Sequence, residues 1–97
     1  MKNNKIITLF RKLKGLELRK IDIMNELTYI IKEIFKSLSF ENIEINIYFY
    51  EFEVIIGEHI DYEDIVEINR VLSDYNCKIS SIHNNDKGII IYVVVCY

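Results

Sequence analysis

Four residue types are missing from this 97-residue chain: alanine, proline, glutamine and tryptophan. Glycine occurs three times and cysteine twice. With no proline and only the isolated Gly15, Gly57 and Gly88, there is no collagen-like repeat and no glycine-rich phosphate loop. Cys77 and Cys96 do not make a disulfide scaffold, and neither Cys-x-x-Cys nor His-Glu-x-x-His occurs, so no metal and no cofactor is expected. No apolar run approaches the ~18 residues of a membrane span, and no transmembrane segment is expected. The polar opening Met1–Lys5, with Arg11, Lys12 and Lys14 breaking the apolar stretch after it, predicts no secretion signal. The expected location is therefore cytoplasmic, with the cysteines as small buried hydrophobes. A bridge between them depends on hairpin register: a four-residue loop sets Cys77 opposite Cys96, and a five-residue loop sends them to opposite faces.

What is present can build a core. Hydrophobic residues make up 51% of the chain, and its length suits one domain spanning residues 1–97. Isoleucine occurs 20 times, asparagine and lysine nine times each, tyrosine seven and phenylalanine five, against six residues of glycine, alanine, arginine and proline together. The favoured types have AT-rich codons. The bias therefore points to an AT-rich genome, and a microbe, phage or archaeal virus fits.

Charge is divided along the chain. Residues 1–20 carry Lys2, Lys5, Arg11, Lys12, Lys14, Arg19 and Lys20 against Glu17, a net +6. Residues 21–97 carry a net −9. A basic N-terminal segment (1–20) thus precedes an acidic body (21–97).

The periodicity predicts a short helix over 4–14, with Ile6, Leu9, Phe10 and Leu13 on one face and Gly15 as its stop. A second helix is predicted over 22–38 from Ile23, Leu27, Ile30, Ile31, Ile34 and Leu38, capped by Asp22. Between Ile43 and Gly57 the alternation changes parity near Tyr50-Glu51. A two-residue hairpin turn there pairs Phe49 with Phe52 and Ile47 with Val54; a single bulged strand is the competing reading. A third helix starts at the Asp61 cap, shows Ile65, Ile68, Leu72 and Tyr75 on one face, and ends at Asn76. A last hairpin pairs 78–83 with 89–97 across Asn84–Gly88. The expected fold is α+β: a short N-terminal helix, then α-β-β-α-β-β, forming an antiparallel four-stranded sheet with helices packed on one face. Ile21-Asp22 and Ile60-Asp61 open the two halves and hint at a duplicated αββ unit. The stretch Ile89–Val95 is apolar on both faces and reads as a central strand needing a second cover: the basic helix, a second copy or a partner.

No catalytic constellation emerges, and an enzyme is not expected. His59 among Glu58, Asp61, Glu63 and Asp64 reads as a polar corner, and Ser80, Ser81 and His83 lack a third member. The leading expectation is a small non-catalytic protein-binding module, an inhibitor, adaptor or regulator encoded by a virus or mobile element. It would mask a basic nucleic-acid-binding surface of its partner through Tyr48, Tyr50, Glu51, Glu53, Asp61, Glu63, Asp64, Glu67 and Tyr92. The alternative is a nucleic-acid-binding protein using Lys5, Arg11, Lys12, Lys14, Arg19 and Lys20, with the body as a dimerisation platform. A homodimer suits both.

Overall fold

Each helix has a local reason to begin and end where it does. The computed structural model describes residues 2–15, 20–86 and 88–96. Helix α1 (Lys5–Lys14) buries Ile6, Ile7, Leu9 and Phe10 and ends at Gly15, whose N–H donates to the Lys12 carbonyl at 3.2 Å. Gly15 is extended, so this stop does not use a left-handed glycine. Ten residues are too few to hold a helix alone. The segment before it is tied to the far end of the chain. The Asn3 N–H donates to the Asp74 carbonyl at 2.6 Å, the Asn76 amide to Asn4 Oδ1 at 2.9 Å, and the Lys2 ammonium to the Ser73 carbonyl at 3.2 Å. Those carbonyls close a helix, where a cation is favoured.

Helix α2 (Lys20–Ser37) buries Ile23, Leu27, Ile31, Ile34 and Phe35. It starts two residues before the expected position, so Asp22 sits in its first turn and is not its cap. Its end is a Schellman motif. Ser39 is left-handed (φ 72°), the Phe40 N–H reaches the Phe35 carbonyl at 3.1 Å, and the two phenylalanine rings meet at 6.4 Å. Helix α3 (Tyr62–Asp74) begins with a capping box in which Asp61 and Asp64 each accept the other's backbone N–H. It ends before Asn76, which takes the expected left-handed conformation (φ 60°).

Strands β1 (Ile43–Ile47), β2 (Glu51–Ile56), β3 (Cys77–Asn85) and β4 (Gly88–Val95) form one antiparallel sheet in the order β1-β2-β4-β3. Exchanging β1-β2 for β3-β4 maps this order onto itself reversed, so the strand order is symmetric about the β2–β4 pair. The region 43–57 is a hairpin, but its register differs from the expected one. Ile47 pairs with Phe52, Ile45 with Val54 and Ile43 with Ile56, leaving Phe49 unpaired in a three-residue connection. Tyr50 explains the shift: at φ 58° it turns the chain inside the connection, so Phe52 pairs with Ile47, two residues before the expected Phe49. The second hairpin is tighter than expected, because Asn85 pairs with Gly88.

One face of the sheet is the core. Phe52, Val54, Ile56, Ile91 and Val93 are fully buried there beneath Phe10 of α1, Leu27, Ile31 and Phe35 of α2, and Ile68 and Leu72 of α3. Each such side chain contributes about 1.5–3 kcal/mol relative to exposure. The basic helix α1 lies in this same layer, since Phe10 stacks on Phe52 at 6.4 Å. It is therefore not the second cover of the sheet. Strand β4 is central, as its sequence indicated, and its outer face meets no other element among the described residues.

Candidate functional site

Strand alternation places Glu44, Asn46, Glu51, Glu53, Ile55, Lys78, Ser81, His83, Ile90, Tyr92 and Val94 on the uncovered face. Their cross-strand rows are ordered. Asn46, Glu53, Tyr92 and Ser81 form one row, and Glu44, Ile55, Ile90 and His83 the next. Glu53 is the hub. Its Oε1 accepts from the Asn46 amide at 2.6 Å and the Tyr48 hydroxyl at 3.3 Å, and its carboxylate also hydrogen-bonds the Tyr92 hydroxyl. The hydrogen bond to Glu53, then loss of water and the Glu53 charge, push the Tyr92 phenol above its ordinary value. Partial loss of water, then the Glu53 charge and hydrogen bond, raise Tyr48 likewise. Both tyrosines thus stay neutral donors beside the Glu53 carboxylate. The His83 ring stands edge-on to Tyr92 at 5.5 Å. Half-buried Ile55, Ile90 and Val94 supply the apolar floor.

The expected binding residues divide among three places. Tyr48, Glu51, Glu53 and Tyr92 meet on or beside this face. Tyr50 does not: its left-handed backbone, costing about 1–2 kcal/mol, carries the ring to the helix side, where it stacks on Phe10 at 6.2 Å. Asp61, Glu63, Asp64 and Glu67 belong to α3 on the opposite layer. Asp61 and Asp64 are engaged in the capping box. Glu67 grips the Arg70 guanidinium through bonds of 2.6 and 3.1 Å, which lowers the carboxyl and raises the guanidinium pKa. Nor does the corner around His59 converge on a centre. Glu58 Oε2 accepts the backbone N–H groups of Glu41 (2.7 Å) and Asn42 (2.8 Å), clamping the start of β1. Among the described residues, no group of three or more His, Cys, Asp or Glu is placed to hold a metal ion.

Of the basic residues, Lys5, Arg11, Lys12 and Lys14 project from α1, Lys20 opens α2, and Arg19 lies outside the described residues. Arg11 and Lys14 border a groove of about 940 Å³ with Gly15, Phe49, Tyr50 and Val95. Sequence reasoning missed Phe49, because the expected register buried it against Phe52. An aromatic pair at a turn without Gly or Asn was the available signal. No helix among the described residues is long and apolar enough to cross a membrane. Comparison of the chain with protein-family models, with curated proteins and with solved structures finds no match.

Proposed function

We propose that this protein is a non-catalytic protein-binding module, and that the uncovered sheet face is its docking surface. The observation that carries this reading is the Glu53 hub. Two tyrosines and an asparagine are held on one carboxylate, beside an apolar floor that no other element among the described residues covers. Rigid tyrosines give contact area at low entropic cost, and a satisfied carboxylate gives direction without a catalytic proton. The occupant is a basic protein surface. Glu44, Glu51 and Glu53 stand on this face against Lys78, so a second copy of the same face would meet like charge. A partner whose basic surface ordinarily holds nucleic acid is the chemistry that fits, and masking it makes the module an inhibitor or regulator. The acidic start of α3 faces the other way and is not part of this contact.

The test is capture from host lysate after nuclease treatment, followed by binding of the purified partner to charge variants. Glu51→Lys with Glu53→Lys should weaken binding at least tenfold while the circular dichroism spectrum is kept. Glu63→Lys with Glu67→Lys should leave binding within twofold. The reverse pattern would move the contact to α3. A homodimer in sedimentation that the Glu51/Glu53 variant dissociates would replace the basic partner with a second copy.

A further inference from the structure

The groove between the end of α1 and the β1–β2 turn has a composition unlike the rest of this acidic body. Among the described residues its lining is Arg11, Lys14, Gly15, Phe49, Tyr50 and Val95, two cations and two aromatic rings with no carboxylate. Phe49 is 70% exposed at the tip of the turn. It stands edge-on to Tyr50, with centroids 4.6 Å apart at 75°. Tyr50 is fixed from behind by Phe10 and from above by the Lys14 ammonium, 5.4 Å from its ring centre. The left-handed backbone at Tyr50 is what turns both rings toward α1. A residue that is costly in that conformation is kept where glycine or asparagine would close the turn freely. Arg11 and Lys14 are one helical turn apart, and they rim the aromatic surface. Lys5 and Lys12 are exposed on another side of α1, beside a second, smaller groove that Asn3, Thr8 and Glu26 also line.

We infer that this groove binds single-stranded nucleic acid, with a base stacked on Phe49 and the adjoining phosphates on Arg11 and Lys14. A planar ring next to an anion is the chemistry that matches exposed aromatics rimmed by cations. Two cations one helical turn apart can take successive phosphates, which favours a strand over a single nucleotide. With Arg11 and Lys14 engaged by phosphates, the described lining leaves stacking as the contact to the base, so binding is sequence-tolerant. The site lies on the helix side of the molecule and does not depend on the reading of the open sheet face.

Fluorescence anisotropy with a labelled twelve-residue oligothymidylate tests the assignment, using the full chain at low salt. Binding should weaken with salt, log K against log[salt] falling with a slope of about −1.4 for two phosphate contacts. Phe49→Ala should weaken binding about tenfold or more, Phe49→Tyr should restore it, and Arg11→Glu with Lys14→Glu should abolish it. All three variants should melt within a few degrees of the parent, because the altered side chains are at the surface. Absence of binding by the parent overturns the proposal, as does an unchanged affinity for Phe49→Ala. Equal binding of a duplex of the same length would reduce the site to a general phosphate contact. Equal competition by thymidine monophosphate, at matched nucleotide concentration, would replace the strand with a free nucleotide. Equal competition by an acidic peptide would overturn the base-stacking assignment.

Discussion

The two hairpins occupy equivalent places in the sheet, yet their turns obey opposite chemistry. The β3–β4 turn follows Asn84 and Asn85 at the end of β3, passes Asp86 and enters β4 at Gly88, which carries a strongly positive φ (136°). These are the residue types that turns ask for, and their side chains are polar and exposed. The β1–β2 turn is Tyr48-Phe49-Tyr50, with an aromatic residue in the left-handed region. Its strain is tolerated because Phe10 and Lys14 of α1 hold the Tyr50 ring. One turn is built from ordinary turn residues. The other breaks a local rule and, in return, presents rings to solvent beside two cations. A departure of that kind marks a place where function competes with folding.

The comparison breaks most sharply at Gly88. A Cβ there would lie 2.1 Å from the Ile56 carbonyl oxygen and 2.9 Å from the Gly57 Cα, on a backbone that side chains rarely adopt. Gly88→Ala should therefore cost about 3 kcal/mol or more, read as a lower denaturant midpoint at unchanged slope. A loss below ~1 kcal/mol would mean that the tight approach of β4 to β2 is not maintained in solution. Tyr50 gives the next largest effect. Tyr50→Ala removes the ring but keeps the positive φ, at a cost of about 2 kcal/mol. Tyr50→Gly removes the same ring and releases the strain, so it should be about 1 kcal/mol more stable than the alanine variant. Equal stability of the two would show that the turn is unstrained and remove the contrast with the β3–β4 turn.

The same contrast decides what was legible in the sequence. Elements specified by their own periodicity and caps appeared where expected: the apolar stripe of α1, the Asp61 cap, the Asn76 stop and the central, twice-apolar β4. The α+β order with all helices on one face followed from these. The register of β1 against β2 did not, because it is set by Tyr50 turning left-handed, which depends on packing against Phe10 some 40 positions earlier in the chain. The candidate sites suffered from the same gap. Glu53, Tyr48 and Tyr92 lie on one face by simple alternation and were readable. The groove was not, since Phe49 and Arg11 meet only when the turn geometry is known. The expected binding set joined the acidic start of α3 to the tyrosine-bearing sheet face, two features that the helix layer and the open face keep apart.

The smallest effect concerns the two cysteines and tests the second hairpin at its far end. From the turn to Ser81, β3 and β4 pair in the register that would bring Cys77 opposite Cys96. The shift at Ser80 adds one residue to β3, so Cys77 pairs with Val95 instead and turns into the core, while Cys96 is exposed. Burial pushes the Cys77 thiol up to about 12, and its hydrogen is given to the Tyr75 carbonyl at 3.4 Å. Iodoacetamide at pH 8 should accordingly label Cys96 within minutes and Cys77 only at the rate of unfolding. In the unfolded chain Cys77 titrates near 9, so the unfolded state loses that proton first. Stability is then complete below pH 9 and declines as the pH rises toward 12, and Cys77→Val should flatten this part of the profile. Deleting Ser80 removes the extra residue without changing which residues pair on either side of it. That variant should keep the labelling pattern and nearly all of the stability. Rapid labelling of Cys77 in it would show that the bulge itself, and not the pairing beyond it, holds this thiol in the core.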